Sequence, residues 1–280
     1  MHAVTWTAPA FQRLYDKHIP EWRRDNPYLR YIISVPEEEI KQAHTECKLA
    51  LIAEVQKRSG MRLDSSLFTI GFARRATGYK RANMLFSDLE RLRRIARNSG
   101  PLQIIYSGKA HPRDESGKEI IRGIFRAAEQ LKDSIRVVYL EDYDMDLARF
   151  IVSGVDLWLN TPQKPHEASG TSGMKAALNG VPSLSILDGW WIEGNVEGVT
   201  GWSIDEDWQK GNNQSMEIAS LYNKLEYIIV PMYYGRPMTY AWIRRNAIAL
   251  NGSFYNSQRM LSQYLKNAYF PENHTNAMIT

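Results

Sequence analysis

Cysteine is almost missing from this chain: Cys47 is the only one in 280 residues. An internal disulfide is therefore excluded, and a reducing compartment such as the cytoplasm is the expectation. Long apolar runs are missing too. None approaches the roughly 20 residues that a membrane-spanning helix needs. The opening residues lack the charged-then-apolar layout of a secretory leader. Excess charge is small, a formal +4, which fits phosphate-sized ligands but does not imply nucleic acid without a clustered basic face. Internal repeats and low-complexity stretches are absent as well, and no metal site is expected. What remains is an ordinary globular composition, 44% apolar and 24% charged, long enough for one large domain or two small ones.

The pattern from residue 63 onward alternates strand with helix. Buried-type runs at Leu67–Ala73, Leu102–Ser107, Ile135–Leu140, Val155–Asn160 and Pro182–Leu187 read as strands. Helical patterns fall at Arg81–Arg97, Gly117–Leu131, Asp144–Val152 and around Met174–Gly180. Such alternation predicts an α/β fold: a Rossmann-like, doubly wound parallel sheet covered on both faces, with ligands at the carboxyl ends of its strands. Before the series, Pro36–Arg58 reads as a helix with Glu37, Glu38 and Glu39 in its first turn and Lys57 and Arg58 in its last, as the helix dipole favours. His44 and Lys48 flank its apolar stripe and are expected at the surface or as partly satisfied core groups. Residues 1–26 show no clean period and read as a loop followed by a short helix. After Asp188 come Gly189-Trp190-Trp191-Ile192-Glu193-Gly194 and then a Gly/Asn/Asp-rich loop to Asn213, and Met216–Phe270 reads as closing helices. Their aromatics, Tyr222, Tyr227, Tyr233, Tyr234, Trp242, Phe254 and Tyr264, are expected to be packing.

Two stretches carry chemistry. His166-Glu167-Ala168-Ser169-Gly170-Thr171-Ser172-Gly173-Met174-Lys175 places a Gly-rich turn between a strand and a helix. Unpaired backbone N–H groups at the positive end of a helix dipole bind anions, commonly phosphate. Lys175, just inside that helix, can pair with a phosphate or, if its charge is suppressed, react with an aldehyde; a solvated loop with an ordinary lysine is the alternative. The second stretch, Arg74-Arg75-Ala76-Thr77-Gly78-Tyr79-Lys80-Arg81, sets four cations at a strand's carboxyl end. Clustered cations repel one another unless they are solvated or share an anion. Spacing alone leaves both outcomes open.

The first stretch closely resembles the Glu-Ala-Ser-Gly-Thr-x-x-Met-Lys segment of the α-glucan (glycogen/starch/maltodextrin) phosphorylases, ending on Lys175. The second resembles that family's basic-x-Arg-x-x-x-Tyr-Lys-Arg block, in register at Arg74, Arg75, Tyr79, Lys80 and Arg81. Ser107-Gly108-Lys109-Ala110-His111-Pro112 and Leu140-Glu141-Asp142-Tyr143 resemble two further family turns, and His2, Thr5 and Trp6 resemble a segment that lies mid-chain in the family. The chain departs from it in two ways: Thr77-Gly78 replaces a His-Glu pair of the long animal-type enzymes, and Arg74 stands where many members have lysine.

The resemblance implies the C-terminal, cofactor-binding half of a two-domain glycosyltransferase-B-type enzyme that cleaves terminal α-1,4-glucosyl units with phosphate, with retention, to glucose 1-phosphate. It implies pyridoxal 5′-phosphate on Lys175, with Arg74, Gly170, Thr171 and Tyr143 around the cofactor. It implies Arg75 and Lys80 on the substrate phosphate, and Glu167, Ser169, Gly170 and Tyr79 on the sugar. Residues 1–35 would then be an inter-domain segment, 36–215 the cofactor and phosphate domain, and 216–280 helices closing on it. The partners implied are α-glucan, inorganic phosphate or glucose 1-phosphate, and the N-terminal half of the enzyme. By itself the chain is expected to give little phosphorolysis. Two alternatives stay open: a cofactor- or glucan-binding piece without turnover, and a nucleotide-sugar glycosyltransferase of the same fold. Glycogen and starch synthases resemble this loop but carry a second glutamate eight positions after the first, where this chain has Lys175.

Overall fold

The computed structural model describes residues 1–204 and 213–270. Six strands form one parallel sheet: β1 (Phe68–Ala73), β2 (Leu102–Ser107), β3 (Arg136–Leu140), β4 (Leu157–Asn160), β5 (Ser183–Ser185) and β6 (Gly201–Ser203), in the order β3-β2-β1-β4-β5-β6. This is the strand order of the doubly wound dinucleotide-binding folds. Side chains alternate between faces, as strand geometry requires. Ile104, Tyr106, Val137, Leu157 and Leu159 turn to one core, and Ile105, Val138 and Trp158 turn to the other.

Helices cover both faces. In chain order they are α1 (Ala3–Trp6), α2 (Pro9–His18), α3 (Glu37–Ser59), α4 (Leu89–Asn98), α5 (Glu115–Leu131), α6 (Met145–Gly154), α7 (Ser172–Ala177), α8 (Trp191–Gly194), α9 (Gln214–Asn223), α10 (Val230–Gly235), α11 (Pro237–Asn246) and α12 (Ser257–Tyr264). The first face packs against α4, α5 and residues of α9 to α11, the second against α3, α6 and α7. Residues 3–40 build a third apolar cluster with Leu178 and Ile248. α3 ends where Gly60 takes φ +71°, a C-cap conformation that glycine adopts without strain.

Four sequence expectations need correction. The helix expected over Arg81–Arg97 begins at Leu89, because Arg81 has left-handed backbone (φ 46°) and the Asp88 side chain accepts from Arg91 N at 2.8 Å as an N-cap. The loop expected from Gly194 to Asn213 contains the sheet's edge strand β6, and its positions 205–212 lie outside the described residues; three residues are too few to show a period of two. The opening is helical at Ala3–Trp6 and again at Pro9–His18, where proline at the first position suits a helix start. Of the closing aromatics named above, Tyr222, Tyr233 and Trp242 pack against the core, but Tyr227, Phe254 and Tyr264 are exposed.

Of the two places expected for His44 and Lys48, the core is the one they take, and the His44 ring is satisfied at Nε2 but not at its buried Nδ1. Both are buried against Asp156 at the amino end of the sheet. Asp156 Oδ1 accepts from His44 Nε2 at 3.0 Å and Arg244 Nη2 at 2.7 Å; its Oδ2 accepts from Lys48 Nζ at 2.6 Å and Thr69 N at 2.9 Å. The cluster fastens α3, α11, β1 and the entry to β4 at one carboxylate. Burial would raise the Asp156 carboxyl, but the charge of Lys48, the His44 hydrogen bond and the charge of Arg244 outweigh it and hold the group ionised.

Candidate active site

The carboxyl ends of β1, β2, β4 and β5 lie along the opposite edge of the sheet, where they deliver Arg74, Gly108, Thr161 and Ile186 in turn. The progression of strands reverses between β1 and β4, which is where such sheets open a ligand crevice. Arg74 stands on one side of that point, with Asn160 and Glu167 on the other. The backbones crowd here: a Cβ on Gly108 (φ +158°) would lie 2.0 Å from the Arg74 carbonyl oxygen. Arg74 N donates to Ser107 O at 3.1 Å and Ala76 N to Lys109 O at 3.0 Å, so the two loops are locked together.

Glu167 is the centre of the crevice. Its Oε2 accepts from Arg74 Nη2 at 2.6 Å and from Lys80 Nζ, and Asn160 Oδ1 accepts from Arg74 Nη1 at 3.0 Å. The side chains of Arg74, Lys80 and Glu167 are 8%, 9% and 10% exposed, so solvent screens them little. Burial raises the Glu167 carboxyl, but the Lys80 hydrogen bond and the Arg74 charge pull it below its ordinary value. It is ionised at neutral pH, and two cations facing one carboxylate leave a positive excess. Lys80 also lies 4.5 Å from the centroid of the Tyr79 ring.

The Gly-rich turn is clamped by the loop after β5. Glu167 N donates to Asp188 Oδ2 at 2.9 Å, Gly189 N to Asp188 Oδ1 at 3.0 Å, and Trp190 N to Ser169 O at 2.9 Å. Gly189 (φ +57°) has no room for a side chain: a Cβ would sit 2.4 Å from Ser169 O. Arg74, Asn160, Glu167, Ser169, Gly170 and Asp188 line a crevice of about 10 Å³, close to the space of a single water. Larger cavities of about 440 and 670 Å³ lie along α5–β3 and between α2, α3 and α6. They contain none of these groups, so chemistry rather than volume marks the site.

Lys175, in α7, is half-buried. Its Nζ lies 3.9 Å from the centroid of a Trp6 ring, burial lowers its pKa, and no carboxylate pairs with it among the described residues. Asn179 ties α7 to the chain's opening: Nδ2 donates to Trp6 O and Lys175 O, each at 2.9 Å, and Oδ1 accepts from Ala8 N at 2.7 Å. Burial pushes the Tyr143 phenol up to about 12, opposed by the charge of Arg74 nearby.

The structure thus joins Arg74, Lys80 and Glu167 in direct contact, with Ser169 and Gly170 on the rim and Tyr79 against Lys80. Arg75, Ser169 and Thr171 are exposed, and Lys175 sits on the adjoining helix. Arg81 belongs to the scaffold: Nε donates to Thr161 O at 3.0 Å, Nη2 to Pro162 O at 2.7 Å, and Nη1 pairs with Glu217. Asn160, Asp188 and the Trp6–Asn179 link escaped the sequence reading. A polar residue closing an apolar strand was a usable signal for Asn160, and Asp-Gly after a strand was one for Asp188. Nothing local connects Trp6 to residues more than 160 positions away.

A family model described as Phosphorylase, carbohydrate phosphorylase, matches residues 6–203. The chain is similar to a glycogen phosphorylase of Aquifex aeolicus, 40% identical over 296 positions covering 96% of this chain and 43% of that protein. It is similar to a maltodextrin phosphorylase of Thermococcus litoralis, 37% identical over 291 positions, 96% of this chain and 35% of that protein. A glycogen phosphorylase of Mycobacterium tuberculosis is 35% identical over 241 positions, 83% of this chain and 27% of that protein. The chain therefore spans less than half the length of these relatives.

Proposed function

The chain belongs to the carbohydrate phosphorylase family, and from that premise we propose that it is the cofactor-binding part of a pyridoxal-phosphate-dependent α-glucan phosphorylase. The reaction is phosphorolysis of a terminal α-1,4-glucosyl unit to glucose 1-phosphate with retention. The observation that carries the reading is Lys175: half-buried, free of any carboxylate partner among the described residues and depressed in pKa by burial, on the helix that follows the Glu167–Gly173 turn. A cofactor aldehyde needs such an amine, and a cofactor phosphate needs fixed donors; Arg74, held by Asn160, supplies them. The donor set fits the group.

In this reading Lys175 holds the cofactor, and Arg74, Gly170, Thr171 and Tyr143 surround it. When bound, pyridoxal 5′-phosphate supplies a phosphate that relays a proton to the substrate phosphate. Arg75 and Lys80 hold the substrate phosphate and offset the repulsion between two adjacent dianions. Glu167, Ser169, Gly170 and Tyr79 take the glucosyl hydroxyls. Lysine at 175, where a second carboxylate would serve a nucleotide sugar, favours this chemistry over nucleotide-sugar transfer.

The described residues supply one wall of a cleft. The relatives' greater length and the exposed apolar residues of the last helix, Met260, Leu261 and Tyr264, support an opposite wall from the remaining, N-terminal part of such an enzyme. No described helix is long and apolar enough to cross a membrane, and we place the reaction in the cytoplasm. Incubation with pyridoxal phosphate, borohydride reduction and peptide mapping should put the label on Lys175. Labelling elsewhere, or none at saturating cofactor, would overturn the assignment.

A further inference from the structure

We infer that the cavity at the amino end of the sheet, where His44, Lys48 and Arg244 surround Asp156, is a binding site for a small organic monocarboxylate. It lies at the end of the sheet opposite the β1–β4 crevice and does not depend on the cofactor reading. Its volume is about 200 Å³. Two fixed cations share one carboxylate there: the Lys48 and Arg244 side chains are each 4% exposed, and that of Asp156 is 1% exposed. His44 adds no charge at neutral pH, because burial and then the Arg244 charge drive it down to about 4. The nearby acids are engaged elsewhere. Glu37 pairs with Arg245 at 2.8 Å and Glu38 with Lys41 at 3.3 Å, while the exposed Asp64 accepts from Ser66 N and Oγ at 2.8 and 2.7 Å. The cluster therefore holds one buried positive charge in excess among the described residues, which costs free energy until an anion shares it.

The donors select the kind of anion. Lys48 Nζ gives its three protons to Asp156 Oδ2 and Leu67 O, each at 2.6 Å, and to Tyr233 Oη at 3.2 Å. Arg244 gives only two of its five N–H groups: Nη1 donates to Gly180 O at 3.1 Å and Nη2 to Asp156 Oδ1 at 2.7 Å. Three N–H groups of a buried guanidinium that lines the cavity thus have no partner among the described residues. A planar fork of N–H groups matches the two oxygens of a carboxylate, which a halide cannot span. Charge narrows the choice further. A single negative charge neutralises the excess, whereas a sulfate or phosphate dianion would leave a buried negative charge in its place. Pro237, Ala241 and the Tyr240 ring also line the cavity, so part of its wall is apolar and suits a short hydrocarbon body. The volume is below the roughly 300–1,000 Å³ of sites for drug-sized ligands, which restricts that body to a few carbons.

The test is calorimetry of propionate with the full chain, in a buffer free of other carboxylates and of phosphate. One propionate should bind per chain, acetate should bind more weakly, and chloride at the same concentration should not compete. Ala241→Leu fills the cavity from its wall, and Thr45→Trp covers it from an exposed position on α3. Each should weaken propionate binding by about tenfold or more, the scale of one lost charge-assisted hydrogen bond. Arg75→Ala, at the other end of the sheet, should leave the affinity unchanged. No binding by the unmodified chain, or affinity that survives both cavity variants, would overturn the site. Loss of binding in Arg75→Ala would move the ligand to the crevice and overturn it equally. Competition by chloride would reduce the site to unselective charge and overturn the carboxylate assignment. Should Ala241→Leu fail to fold, Thr45→Trp decides.

Discussion

Asp156→Asn is the substitution whose cost can be worked most directly from the structure. The Asp156 side chain is about 1% exposed, and those of Lys48 and Arg244 are 4% exposed. Four donors, from His44, Lys48, Thr69 and Arg244, meet two carboxylate oxygens. Asparagine removes the charge and turns one oxygen into a donor. Whichever oxygen is replaced, two donors then face an N–H₂ group, and two buried cations lose their counterion. Breaking a buried pair from one side costs about 3–5 kcal/mol, a large part of a total stability of roughly 5–15 kcal/mol. At about 2.1 cal/mol/K per residue, unfolding of a chain this size carries an entropy near 0.6 kcal/mol/K, so Tm should fall by about 5–8 °C. Differential scanning calorimetry at pH 7 measures it. A fall of less than about 2 °C would show that Lys48 and Arg244 find other partners or water, and would refute the account of this cluster as the fastening of α3 and α11.

Three further outcomes follow from the same geometry. His44 is driven down to about 4, first by burial and then by the Arg244 charge, with Asp156 opposing. The unfolded chain takes up this proton first, near 6.5, so the stabilisation is complete above that pH. It is lost progressively as pH falls toward 4, by up to about 3 kcal/mol. Urea midpoints measured between pH 7 and 4 should show the slope in the unmodified protein and a flatter one in His44→Gln. Arg75→Ala or Lys80→Ala should weaken phosphate binding by about 1–3 kcal/mol; calorimetry showing unchanged affinity in both would return the cluster to a solvated basic face. Finally, orientation between two walls can supply on the order of 7–11 kcal/mol of a barrier, so the 280-residue chain alone should release little glucose 1-phosphate from maltodextrin. Adding a separately made N-terminal part of such an enzyme should restore release, and turnover at a normal enzymatic rate without it would contradict the one-wall picture.

The apolar runs at 68–73, 102–107, 136–140 and 157–160 were legible as strands because a buried parallel strand is apolar on both faces and is followed by a helical period. Their alternation was enough to set the sheet class and to place Arg74 and the Glu167 turn at strand ends, since ligands gather there for reasons of backbone geometry. Local pattern also marked Lys175 as a lysine entering a helix behind a Gly-rich turn. It could not state what surrounds that amine. Trp6 lies under it, and Asn179 holds Trp6, only because three apolar clusters fold the opening of the chain onto α7. The pairing of Glu167 with Arg74 and Lys80 belongs to the same class. The partners are 93 and 87 residues apart, and their contact depends on β1 lying beside β4. His44 and Lys48 show the converse: one turn apart on a helix, they read as surface or as partly satisfied core groups alike until Asp156, from the entry to a distant strand, gives them a buried counterion. Periodicity and turn chemistry act over a few residues and can be read from order alone. Ion pairing and desolvation depend on which strands become neighbours, and that was decided only when the sheet closed.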